Sequence, residues 1–322
     1  MINPSKKTMG ITYAVAAVLT ILFILSITVF SPSSNANKKR HRLQLQIIHE
    51  ADISNIDIIT IQQADSAIIL TRTDNMWLIA NQNNVDDKIP ANTDRLKSFF
   101  VFLASKHRLT KAGNSANNDN SYGLDKQDST VITLYKNGTA YQSLNFGDLN
   151  FSQTQRYFTT AEVKAVFLAG SEFEPFLTTS VTSWADPYII STQLLNDAFS
   201  MGLAQTADFF DYKTESHVTF TTSDDEQKKS IQKLFDLRHG GFVEADSNQI
   251  SDKPQNKTSS VKIQMGDKSQ ISLDLFEHPA IENEYIVYTT FESERLAKSF
   301  TYKTQISAWT YNKISEIMLN TK

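Results

Sequence analysis

Ser121-Tyr-Gly-Leu-Asp-Lys-Gln-Asp-Ser-Thr130, Val131-Ile-Thr-Leu-Tyr135, Lys136-Asn-Gly-Thr139 and Ala140-Tyr-Gln-Ser-Leu-Asn-Phe146-Gly147 follow one another without a break. A polar loop closes in a turn at Tyr122-Gly123-Leu124-Asp125. An alternating strand runs out from it, Asn137-Gly138 reverses the chain, and a second strand returns. Asn-Gly between two alternating apolar runs is a strong local hairpin signal, because a tight type I′ turn needs positive φ at both central residues. In the Tyr-Gly-Leu-Asp turn, glycine supplies the unusual φ and leucine enters the core, so its simplest reading is structural.

Outward from the hairpin the grammar stays antiparallel. Leu43–Ile48, Ile56–Ile61, Ala67–Thr71 and Met76–Ala80 read as strands joined by short polar turns,. Pro90-Ala-Asn-Thr93 leads into a helix whose Leu96, Phe99, Phe100 and Leu103 make one apolar stripe, with Asn92 or Thr93 as cap,. Lys106, His107 and Arg108 read as the positive end of that helix. Arg156–Thr159 and Val163–Leu168 are two more strands, and Ser171 opens a short helix carrying Phe173, Phe176 and Leu177.

The second half repeats this order. Val218–Phe220 is a strand, Asp224-Asp225-Glu226 starts a helix with Ile231, Leu234 and Phe235 inward, and Val261–Met265 with Ile271–Phe276 forms a hairpin. Tyr285–Thr289 follows as a strand, and a last helix from about Tyr302 to Leu319 places Ile306, Trp309, Ile314 and Ile317 inward. The shared order at a near-constant offset points to internal duplication. The expected fold class is therefore α+β: an N-terminal transmembrane helix, then two similar lobes, each a mostly antiparallel sheet with helices on one face. The expected divisions are 1–42 for tail, anchor and basic flank, 43–180 for the first lobe, 181–212 for a connection, and 213–322 for the second lobe.

Residues 10–30 carry no charge, and their length at about 1.5 Å per residue spans roughly 31 Å, the thickness of a bilayer core,. Ser34-Asn35-Ala36 offers small residues for signal cleavage, but the apolar run exceeds a usual signal-peptide core, so a retained anchor in the lipid bilayer is the favoured reading. The cations Lys38, Lys39, Arg40 and Arg42 follow the run, and Lys6 and Lys7 precede it. We take the N-terminus as inside and the body as periplasmic, single-pass in the inner (cytoplasmic) membrane, since large domains translocate largely regardless of flanking charge.

The chain has 322 residues, a net charge of −4 and no cysteine. Disulfides, thiolate metal sites and cysteine nucleophiles are excluded, and the acidic balance argues against nucleic acid as a partner. The six histidines (His41, His49, His107, His217, His239 and His278) show no metal-ligand spacing,. No GxSxG, GxxxxGK or GxGxxG motif occurs. The expectation is no catalytic residue, no cofactor and no metal.

Trp77 after a strand, Pro90-Ala91 before a helix, Tyr122-Gly123-Leu124-Asp125, Asn137-Gly138, Phe146-Gly147 and Arg156-Tyr157 together resemble the bacterial domain-of-unknown-function family four-three-four-zero. The resemblance is best from about Trp77 to Trp184. It implies an anchored, extracytoplasmic α+β body often found beside gliding-motility-type (Gld) ABC transporters, and it implies no established activity. The functional expectation is a non-enzymatic accessory or scaffold protein associated with ABC transporter subunits. The alternative is a cell-envelope module for glycan or a small solute, with Trp184, Phe209 and Phe210 lining a concavity between the lobes. A hydrolase is a remote third reading.

Overall fold

The computed structural model describes residues 42–73, 76–113, 119–125, 127–161, 163, 165–194, 204–241, 257–293 and 298–319, together with Thr20. The first sheet starts with β1 (Arg42–Gln46), β2 (Ile56–Gln63), β3 (Ser66–Thr73), β4 (Met76–Asn81) and β5 (Asn84–Pro90). Helix α1 (Thr93–Ala104) and β6 (Lys106–Gly113) follow, then the one-turn α2 (Asp119–Tyr122), β7 (Thr130–Lys136), β8 (Thr139–Leu149), β9 (Arg156–Thr160) and β10 (Val166–Ala169). After the one-turn α3 (Val181–Trp184), the second sheet is built from β11 (Ala204–Asp211), β12 (Ser216–Thr221), β13 (Lys257–Met265), β14 (Gln270–Glu277), β15 (Glu284–Ser293) and β16 (Lys298–Ser307). Helix α4 (Asp225–Phe235) lies between β12 and β13, and α5 (Ala308–Leu319) follows β16.

The ten-stranded sheet has the order β1-β6-β10-β9-β8-β7-β2-β3-β4-β5 and the six-stranded sheet β12-β11-β13-β14-β15-β16. Every pairing is antiparallel. The path β3-β2-β7-β8-β9-β10 in the first sheet is the same path as β12-β11-β13-β14-β15-β16 in the second. In both, a helix falls between the outermost of these strands and the central hairpin. The hairpin of the opening stretch is β7–β8, with Asn137 at φ 50° and Gly138 at φ 72°.

The expected α+β class with an N-terminal transmembrane helix is corrected. The described chain is mostly antiparallel β, its helices are short, and no described helix is long and apolar enough to cross a membrane. Residues 10–30, Thr20 apart, lie outside the described residues. Two strands were hidden by charge. Asn84–Lys88, where no strand was expected, pairs with β4 as part of β5, and Lys106-His107-Arg108 reads as a helix end but begins β6 between β1 and β10. Likewise Tyr302–Ser307 is strand β16, so the last helix begins at Ala308 and its Trp309 points outward, 72% exposed.

Asn92 caps α1, its side chain accepting from the backbone N–H groups of Asp94 and Arg95, and Leu96, Phe99, Phe100 and Leu103 are buried beneath it. That stripe removes four large side chains from water, worth roughly 1.5–3 kcal/mol each. Most buried residues of both sheets form one continuous core, and Phe276, Ile286 and Tyr288 of the second sheet form a small separate cluster. Strand β16 lies beside β5, where Lys303 pairs with Asp87 at 3.7 Å. The expected connection 181–212 contributes β11 to the second sheet, and its residues 195–203 lie outside the described residues.

Candidate functional site

Five of the signature residues, Tyr122, Gly123, Leu124, Gly147 and Tyr157, converge on one piece of backbone. Strand β8 breaks register after Phe146, and Gly147 in that bulge presses against the Tyr122-Gly123 peptide. A Cβ on Gly147 would collide with the Tyr122 carbonyl and sit 2.8 Å from the Gly123 carbonyl carbon. Gly123, at φ 69°, faces the Asp148 carboxylate at equally short range. Asn145 Nδ2 donates to the Leu124 carbonyl at 2.7 Å, and Leu124 is buried. The Tyr122 ring packs on Tyr157 at 4.9 Å, and its hydroxyl lies over Gly113, where a Cβ would meet it at 2.7 Å. Arg156 Nη1 donates to the Gly147 carbonyl at 2.8 Å while its Nε donates to Glu174 at 2.9 Å. Asp125 is exposed at the end of the turn. These residues form a knot that locks the loop before β7 onto β8 and β9.

A second cluster joins the two sheets. Asp186 is buried and its carboxylate accepts from the Tyr188 N–H, the Ser191 hydroxyl, and both the N–H and the hydroxyl of Thr192, at 2.7–3.1 Å. Its carbonyl accepts from His239 Nε2 at 2.7 Å. Burial pushes the His239 imidazole below its usual value, against the opposing pull of the Asp186 carbonyl and charge. The Tyr302 hydroxyl of β16 donates to the Ile189 carbonyl at 2.7 Å and accepts from the Ser191 N–H at 2.9 Å. Complete burial drives that phenol far above its ordinary value. Gln193 reaches back to β4: its Oε1 accepts from the Trp77 N–H, and its Nε2 donates to the Trp77 and Ala91 carbonyls, each at 2.8 Å. Trp77, from the sequence signature, is thus a strand anchor beside Phe100, remote from the knot. A buried carboxylate with four donors is chemically spent on holding the chain.

The concavity expected from Trp184, Phe209 and Phe210 is corrected. Trp184 is buried against Phe99, at 5.5 Å, with its Nε1 donating to the Thr178 carbonyl and the Arg95 guanidinium over its ring. Phe209 is buried in the second sheet, and Phe210, on the opposite face of β11, packs against Tyr212 at 4.5 Å. Alternation along a strand sends adjacent residues to opposite faces, so Phe209 and Phe210 cannot line one surface.

While Val85, Val101, Leu149 and Phe151 are exposed elsewhere, three exposed apolar side chains, Tyr212, Ile281 and Trp309, lie along one end of the second sheet. The β11–β12 turn, the β14–β15 loop and the start of α5 meet there, because β11, β14 and β16 all end at that edge. Tyr212 is 44% exposed, Ile281 44% and Trp309 72%. Residues 277–285 line a hollow of ≈ 480 Å³. His278 Nδ1 accepts from the Ala280 and Ile281 N–H groups, the Ala308 N–H donates to the Asn283 carbonyl, and Tyr285 stacks on Tyr311 at 4.0 Å. Lys213 bridges to Glu277 at 2.6 Å. Sequence reading missed this surface because Trp309 was counted as a core residue of an over-long helix. Among the described residues no group of three or more His, Asp or Glu could hold a metal ion.

Residues 77–271 match the family described as Domain of unknown function (DUF4340). The chain belongs to this family. The DUF4340 match takes in Trp77, the Tyr122–Gly147 knot and the Asp186 cluster, and it ends before Ile281 and Trp309. Over 116 residues the chain is 29% identical to an uncharacterized protein of Treponema pallidum (strain Nichols), a stretch covering 36% of this chain and 36% of that relative. No solved structure matches.

Proposed function

We propose that the chain is a non-enzymatic accessory or scaffold protein, attached to the inner membrane through residues 10–30, with its body outside the cytoplasm and docked to subunits of an ABC-type transport system. One observation carries the reading. The buried polar clusters are engaged in holding the two sheets together, while Tyr212, Ile281 and Trp309 stand exposed along one end of the second sheet. Large aromatic side chains presented on a rigid rim are the usual anchors of protein–protein contact. The transporter as partner follows from the family resemblance.

The experiment is recovery of the native-level protein from membranes in mild detergent. Transporter subunits are expected with the wild-type chain and are expected to be lost with Trp309→Ala. Recovery of the protein alone would refute the proposal. A reporter active only outside the cytoplasm, fused after Lys322, tests the placement, and a silent reporter would overturn it.

A second reading, a cell-envelope module for glycan or a small solute, is favoured by the hollow at 277–285, whose ≈ 480 Å³ lies within the size range of small-molecule sites,. Thermal stabilisation by cell-wall fragments, abolished by Ile281→Ala, would support it over the scaffold.

A further inference from the structure

Strands β1 and β6 form one margin of the ten-stranded sheet, and they carry charge of one sign only. Arg-Leu-Gln-Leu-Gln and Lys-His-Arg-Leu-Thr-Lys-Ala-Gly contain no Asp or Glu, in a chain whose acids outnumber its Lys and Arg by 35 to 31. The register sets these residues on two distinct faces. Gln44 lies opposite Arg108, Gln46 opposite Lys106 and Arg42 opposite Thr110, so these positions share one face, and His107 and Leu109 turn into the core. Gln44, Lys106 and Arg108 are exposed. Neither Lys106 nor Arg108 forms a salt bridge among the described residues, unlike Lys136, Arg156, Lys213 and Lys257 elsewhere on the sheets. In sequence, β1 follows directly on Lys38, Lys39 and Arg40, which follow the uncharged stretch 10–30.

We infer that this outer face of β1 and β6 lies on an anionic lipid surface, with Lys106 and Arg108 carrying the contact on the folded body. The inference rests on the reading that residues 10–30 attach the chain to a membrane. Charge complementarity and chain continuity select lipid headgroups as the occupant. Polybasic segments next to a membrane attachment gain affinity from each cation within a Debye length of an anionic leaflet.

The chain has no cysteine, so a single introduced thiol reports its own position. Full-length protein carrying Gln44→Cys, labelled with a polarity-sensitive fluorophore, is mixed with vesicles of phosphatidylcholine alone or with about one third phosphatidylglycerol. Thr219→Cys, on the far edge strand β12, is the control. A blue shift at position 44 only, only with phosphatidylglycerol, and reversed by salt is the expected result. Lys106→Gln and Arg108→Gln should each lower the docked-to-free ratio about fivefold. Identical spectra at position 44 in the two lipids would overturn the inference. Flotation with vesicles in high salt separates it from the attachment reading. A chain that floats but whose label ignores phosphatidylglycerol refutes the seated face alone. A chain that fails to float, yet shows the anionic shift at low salt, keeps the face and loses the attachment.

Discussion

Substituting Gly147 by alanine should unfold the knot before it touches anything else. The added methyl meets backbone on the far side, the Tyr122 carbonyl and the Gly123 carbonyl carbon, and neither can rotate away as a side-chain tip would. Overpacking against groups that cannot give sits at the top of its range, about 3 kcal/mol. Gly138→Ala supplies the internal comparison. Its φ of 72° carries the left-handed penalty of about 1 kcal/mol, but no atom lies within 4 Å of the new methyl,. Gly123→Ala combines both effects, a φ of 69° and a collision with Asp148, whose side chain can swing aside. The expected order of destabilisation is Gly147 > Gly123 > Gly138. Urea unfolding followed by circular dichroism reads it directly. At a slope of about 2–3 kcal/mol per molar, the midpoint should fall by about 1–1.5 M for Gly147→Ala and by about 0.3–0.5 M for Gly138→Ala. Equal midpoints for the two variants would refute the close backbone approach, since only that contact distinguishes them.

Other outcomes follow from the Asp186 cluster and the aromatic end. Asp186→Ala strands four donors and should cost about 3–5 kcal/mol, visible as a chain that unfolds at or near room temperature in a thermal scan,. The Tyr302 phenol is raised in the fold, so its contribution is whole below its unfolded value of 10.0 and is lost as pH rises above it,. Wild-type stability should therefore drop above about pH 10 more steeply than that of Tyr302→Phe, which itself should lose about 1–2 kcal/mol at neutral pH through the missing hydroxyl. The His239 imidazole is lowered, so the unfolded chain takes up the proton first, and stability should fall as pH drops below 6.5,. His239→Gln should flatten that acid limb in urea titrations run at each pH. Trp309→Ala and Ile281→Ala remove exposed surface and should change stability by less than about 0.5 kcal/mol, while partner recovery falls,.

Local chemistry made parts of this fold legible. Asn137-Gly138 specified its hairpin because type I′ dihedrals depend on two residues and nothing else,. The α1 stripe and its Asn92 cap were readable for the same reason: every partner lies within a few positions. The strands β5 and β6 were not readable, since Asp86, Asp87, Lys106 and Arg108 look like loop or helix-end residues until neighbouring strands satisfy their backbone. The surface at Tyr212, Ile281 and Trp309 also escaped, because it exists only where three strand ends are brought to one edge.

Taken alone, the sequence determined the turns, the antiparallel grammar, the uncharged stretch at 10–30 and the family signature in Trp77 and Tyr122–Gly147. Tertiary structure decided what those residues are for. It set Gly147 against the Tyr122 peptide, tied Gln193 to Trp77, and brought the Tyr302 hydroxyl of edge strand β16 to the Ile189 carbonyl. Those contacts join positions far apart in the chain, and no short-range propensity encodes them. They are selected only when both sheets close on a common core and each buried polar group must find its partner there.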